Sequence, residues 1–179
     1  FKERGFLPEA FINLLAVLGW NDGTEQELYS MEELIENFSM DRVHAAGAKF
    51  DFEKAKWFNH EWIKKLPVTN YQARVKEIFE SKGIEIKDDI YFTKVLELVK
   101  ERCPLLTDFF DQAVFFFVNP ASYDEASVKP KWDSDKNDFF AELIKRYNRA
   151  ADWNISSIET EFKTLATEKN IKVGELQMI

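Results

Sequence analysis

Cysteine, histidine, glycine and proline are all scarce in this chain. One cysteine, Cys103, rules out an internal disulfide. With only two histidines, His44 and His60, it also leaves too few soft ligands for a structural zinc site, so no metal is expected. Cys103 reads as a small buried hydrophobe. The six glycines form no cluster, which excludes a glycine-rich phosphate loop. Neither a Gly-x-Ser-x-Gly elbow nor a His-Glu-x-x-His pair occurs. No apolar run is long enough to span a bilayer. No basic segment followed by an apolar stretch and a small-residue cleavage site is visible. These absences fit a cytoplasmic protein with no membrane partner.

Hydrophobic residues make up 45% of the 179, with 17 Phe, 5 Tyr and 5 Trp among them, so a substantial core can form. One or two domains are expected at this length. The formal net charge of −8 argues against a general nucleic-acid coat and against DNA. The charge is uneven, however. Lys64–Arg102 holds nine Lys/Arg against seven Asp/Glu, and Lys129–Arg149 holds six against four. Acidic residues gather elsewhere, as in Glu25–Glu36.

The chain reads as helices in series. "FLPEAFINLLAVLGW", residues 6–20, is a helix apolar almost all round, with Pro8 and Glu9 in its first turn and Gly19 and "NDGT" as its stop. Ser30 and Glu33 form a capping box for a short helix. Ser39 or Asp41 caps another. Asp51 caps a helix that carries Trp57, Phe58, Trp62 and Ile63, and Pro67 ends it. Thr69–Gly83 shows an apolar stripe at Tyr71, Val75, Ile78 and Phe79. Asp88 or Asp89 opens a helix running to Arg102, and Pro104 breaks it. Thr107 is expected to cap a helix over Asp108–Val118, apolar on nearly every side and central to a core. Asn119–Asp135 reads as a long loop or hinge. Ser134 is expected to cap a helix from about Lys136 to Ala151, and a second capping box, Ser156 with Glu159, to open Ile155–Asn170. A last helix starts near Val173. The fold class is all-α. Because the first helix begins so close to Phe1 and the last so close to Ile179, the sequence is expected to be part of a longer chain.

No catalytic constellation emerges. His44 and His60 are placed on different helices with no nucleophile nearby. His60 and Glu61 are neighbours in sequence, but adjacent residues on a helix point apart. What remains is Lys/Arg close to aromatic residues on helices. RNA recognition uses that combination, because it reads backbone charge and stacks bases. A solvated helix face and a helical protein-interaction module use it too.

Gly5, Phe6, Leu7, Pro8, Glu9, Ala10, Phe11, Asn13, Leu15, Leu18, Gly19 and Trp20 form one block. Phe38, Ser39, Arg42 and Val43 form a second. Phe50, Asp51, Lys54, Ala55, Trp57, Phe58, Asn59, Trp62 and Ile63 form a third. In order and spacing these blocks resemble the part of bacterial glutamyl-tRNA synthetases just after their catalytic core. The resemblance is dense over the first 66 residues. Beyond them it continues through the helical pattern and a Leu-x-Asp-Phe element at Leu106, Asp108 and Phe109.

The resemblance implies a class I ligase that joins glutamate to tRNA(Glu) using ATP with Mg. The HIGH- and KMSKS-type motifs of its catalytic domain are absent here, so this chain itself is expected to be non-catalytic, to hold no cofactor, and to belong to a monomeric parent. Residues 1–66 would be the stem-contact and connecting region. Residues 67–179 would be an all-helical anticodon-binding domain, with subdomains at about 67–120 and 121–179. A Pro-Leu-Arg segment and a later loop that complete the family's anticodon pocket would lie beyond Ile179. Within the family an Arg shortly before the Leu-x-Asp-Phe element is associated with the third anticodon base, and Arg102 falls at that place. Glutamate codons begin with G, so that base is C; for glutamine it is G. Cytosine offers acceptors to a guanidinium where guanine presents a donor. Arg74, Lys94, Lys145, Arg146 and Arg149 are candidates for phosphate contacts. Two other readings stay open: a close relative charging glutamine tRNA, and the protein-interaction module.

Overall fold

The computed structural model describes residues 1–44, 49–120 and 122–177. Among them the chain is all-α, with one isolated bridge between Trp20 and Val43. It divides into two units, Phe1–Pro120 and Ala121–Ile179.

The first unit contains α1 (Pro8–Gly19), α2 (Met31–Asn37), α3 (Phe52–Lys65), α4 (Gln72–Ser81), α5 (Asp89–Val99) and α6 (Asp108–Ala113). Its largest core joins Leu7 and Ala10 to Trp62 and Ile63 of α3, Val75 and Phe79 of α4, Phe92, Val95 and Leu96 of α5, and Phe109 and Ala113 of α6. Phe79 sits at its aromatic centre, edge-on to Phe92 and Phe117 at 5.4 and 5.5 Å. Each such side chain, fully buried, stabilises the fold by roughly 1.5–3 kcal/mol.

The first helix does not bury every side. Ala10 and Leu14 turn inward with Asn13, while Ile12 and Leu15 are exposed. Asn13 is fully buried, and its amide explains how. Oδ1 accepts from Tyr29 N at 3.0 Å and from Trp62 Nε1 at 3.1 Å, and Nδ2 donates to Glu27 O at 2.8 Å. One polar residue thus ties α1 to the loop ahead of α2 and to α3. A buried amide is tolerated when its hydrogen bonds are made.

The helix starts follow the sequence in part. Ser30 and Glu33 make both halves of the capping box. Asp51 accepts from Glu53 N and Lys54 N, and Asp88 from Ile90 N and Tyr91 N. Other starts differ. Ser39 precedes only a 3-10 turn, Met40–Arg42, and makes no side-chain cap. Thr69 falls in a 3-10 turn before α4. Past Val99, α5 tightens into a 3-10 turn, Lys100–Arg102. Thr107 has helical dihedrals and caps nothing; Asp108 Oδ2 instead accepts from Leu105 N at 2.8 Å. The phenylalanine-rich stretch is α6 followed by a 3-10 turn, Val114–Phe116, and Phe115 and Val118 are exposed. Of the histidines, only His60 is helical; His44 follows the 3-10 turn at Met40–Arg42, 3.1 Å from Asn21 Nδ2.

The second unit is built on α8 (Ser134–Arg149) and α9 (Ile155–Glu168), with α7 (Glu125–Val128) before them and α10 (Val173–Gln177) after. The long loop therefore contains a short helix, and a 3-10 turn at Lys129–Lys131. Phe139 and Leu143 pack on Leu165, Ala166 and Leu176. Asp133 caps α8 and Asn154 caps α9, one or two residues before the serines expected to do so. Aspartate and asparagine reach the free amides of a first turn as well as serine does. Glu159 pairs with Lys163 rather than closing a box. Met178 and Ile179 lie outside the described residues.

Candidate nucleic-acid interface

Where α5 ends, its last carbonyls lose their helical partners. The chain replaces them one by one. Lys100 O accepts from Cys103 N at 3.1 Å, and Val99 O from the Cys103 thiol at 3.3 Å. Two neighbours on α3 take the next carbonyls from outside. His60 Nε2 lies 3.0 Å from Glu101 O, and a carbonyl only accepts, so that nitrogen carries the proton. Asn59 Nδ2 donates to Pro104 O at 2.6 Å. Leu106 N then bonds Gly5 O at 2.9 Å. Leu106 and Phe109 are anchored in the core, and Asp108 closes the turn by accepting from Leu105 N. Residues 100–108 form a loop held on both sides, and Arg102 is its exposed cation.

Cys103 is fully buried beneath this loop. Burial, and secondarily the Asp108 carboxylate, push its thiol up to about 12. It is a protonated packing group at neutral pH, not a nucleophile.

Lys94 stands on the exposed side of α5, near Leu98, which is also exposed. Eight residues separate Lys94 from Arg102, about 12 Å at helical rise. Neither cation makes an ion pair among the described residues, whereas Lys100 between them pairs with Glu97 at 2.7 Å. Arg74 differs: its guanidinium donates to Phe6 O at 3.0 Å and holds the segment leading into α1.

In the second unit the three expected cations also part ways. Arg146 is claimed by carboxylates, with Glu168 at 2.5 Å, Glu161 at 3.6 Å and Glu142 at 3.8 Å. Its hydrogen bond to Glu168 holds that carboxyl below its ordinary value and raises the guanidinium. Lys145 pairs with Glu142 at 3.7 Å. Arg149, in the last turn of α8, is exposed. Two aromatic residues of this unit stand out only in the structure. Trp132 stacks on Phe140 at 5.4 Å and 11°, and Trp153, largely exposed, meets Tyr147 edge-on. A tryptophan in a polar connection is the signal that could have found them, since stacking on exposed rings is how single-stranded bases are held. Nor did the sequence reveal Asn59 and His60 as supports of the Arg102 loop.

Among the described residues no group of three or more His, Cys, Asp or Glu is placed to hold a metal ion, and no helix is long and apolar enough to cross a membrane.

Residues 52–179 match a family model described as an anticodon binding domain. Residues 1–57 match one described as the catalytic domain of class I tRNA synthetases (E and Q). A glutamate–tRNA ligase of Flavobacterium psychrophilum is 43% identical over 176 residues, 98% of this chain and 35% of that protein. One from Phocaeicola vulgatus is 39% identical over the same share of each. Among solved structures, a glutamate tRNA ligase from Elizabethkingia meningosepticum in complex with its amino acid superposes with a TM-score of 0.86 at 33% identity, over 97% of this chain and 34% of that one. The chain thus spans about a third of the length of the relatives it matches.

Proposed function

The chain belongs to the anticodon-binding domain family, in the form carried by glutamate–tRNA ligases, and from that premise we propose that it holds the anticodon of tRNA(Glu) while the whole ligase joins glutamate to that tRNA with ATP. The HIGH- and KMSKS-type motifs of the class are not in this sequence, so ATP and its magnesium ion are assigned to other parts of the ligase. Residues 1–66 serve as the connecting, stem-contact region and 67–179 as the anticodon-binding domain, acting in a monomeric cytoplasmic enzyme. The relatives are glutamate ligases, which does not favour the glutamine-charging or protein-interaction readings.

One observation carries the reading at the level of residues: the braced loop that presents Arg102. A braced loop with an exposed guanidinium suits reading a splayed base, because the backbone that carries the side chain need not be ordered at the moment of binding. Lys94, Lys145 and Arg149 contribute phosphate contacts, which position RNA without reading it.

The test is titration of this chain with the anticodon stem–loop of tRNA(Glu). The expected affinity is weak, in the micromolar range or below, and falls roughly tenfold over a fourfold rise in salt. An affinity independent of salt argues against these phosphate contacts.

A further inference from the structure

We infer that His60 is a positioning residue for anticodon reading, acting through its hydrogen bond to Glu101 O to fix the backbone from which Arg102 projects. This rests on the proposed role of Arg102 above. Asn59 and His60 are consecutive on α3, and each donates to a backbone carbonyl of the segment that follows α5, one on either side of Arg102. Asn59 is fully buried and also accepts from Leu7 N at 2.7 Å, so it serves the fold as a whole. His60 is only half-buried, and this is the hydrogen bond of its side chain. Its contact lies one residue from Arg102. Without it Glu101 O turns to water and the 3-10 turn Lys100–Arg102 loses one hydrogen-bonded tie to α3. Arg102 then samples more directions, and a base contact that depends on direction weakens more than a phosphate contact that depends on charge.

The experiment uses the whole ligase that carries this chain. Aminoacylation is measured on two tRNA transcripts that differ only at the third anticodon base, C or G, for wild type, Arg102→Gln, His60→Leu, His60→Gln and the double variant Arg102→Gln/His60→Leu. Glutamine can still present an N–H to Glu101 O; leucine cannot. The expected result is a threefold to tenfold fall in the C-over-G ratio of kcat/KM for His60→Leu, in the range of one lost hydrogen bond, roughly. His60→Gln keeps the ratio near wild type, and His60→Leu adds nothing in the Arg102→Gln background. A merely structural role would lower both rates together and leave the ratio alone. If His60→Leu does not fold, His60→Ala removes the same donor. A ratio that falls for Arg102→Gln but holds for His60→Leu or His60→Ala overturns the positioning role by itself. A ratio unmoved by Arg102→Gln removes the reading beneath it as well.

Discussion

Asn59 and Pro104 lie 45 residues apart in sequence, and the Asn59 amide closes on the Pro104 carbonyl at 2.6 Å. The same side chain accepts from Leu7 N at 2.7 Å. α3 thereby holds both the entry to α1 and the exit of α5.

Asn59→Ala should therefore be among the costliest single changes in the first unit. It strands a buried N–H and a carbonyl, each costing about 1–3 kcal/mol. The expected loss is about 2–6 kcal/mol, read as a lower urea midpoint with an unchanged slope. A loss no larger than that of an exposed alanine substitution would mean the amide is not holding these segments.

Gly5 packs against the same loop, its carbonyl accepting from Leu106 N at 2.9 Å. Its φ is 84°, and a Cβ there would stand 2.8 Å from both Leu106 N and Thr107 N. Backbone atoms cannot swing away as a side chain can. Gly5→Ala should cost about 2–4 kcal/mol, from the left-handed backbone and the overpacking together. Gly23, with φ 90° and nothing near its Cβ position, is the control, and Gly23→Ala should cost less.

Cys103 and Tyr71 predict how stability responds to alkali. Burial raises both groups, Cys103 from 9.0 to about 12. Unfolded, the thiol loses its proton through its ordinary value; folded, it keeps it. Above that value the unfolded state binds fewer protons, so stability falls as pH rises from about 9 toward 12. Cys103→Ala should flatten the slope, measured by urea midpoints at a series of pH values, while the Tyr71 contribution remains. An unchanged slope would count against the burial of the thiol.

Arg102 and Arg146 should fail in opposite ways. Arg102→Gln should cut the preference for C at the third anticodon base by about tenfold to a hundredfold, by analogy with groove readout, with little change in thermal stability. Arg146→Met removes the partner of Glu168, Glu161 and Glu142. It should lower the melting temperature of the second unit and leave RNA affinity within about threefold. Melting by circular dichroism, alongside stem–loop titration, separates the two. A large loss of RNA affinity in Arg146→Met would return that residue to the phosphate-binding set.

The sequence by itself determined the class of the fold and several of its helix starts. Spacing of Val75, Phe79, Phe92, Val95 and Leu96 specifies buried faces, because side chains three and four apart share one side of a helix. Asp51 and Asp88 mark helix starts because their carboxylates meet free amides next to them in the chain. It also carried the resemblance, in the blocks from Gly5 to Trp20 and from Phe50 to Ile63.

Tertiary structure decided what depends on distant partners. A basic residue looks the same in sequence whether a carboxylate claims it or not; Arg146 meets Glu168 only when α8 packs on α9, and Arg74 meets Phe6 O only across 68 residues. Likewise no local pattern tells Asn59 and His60 from other polar residues of an amphipathic helix. Their roles arise when α3 comes to lie beside the segment that follows α5, whose carbonyls at Glu101 and Pro104 are completed by donors from α3.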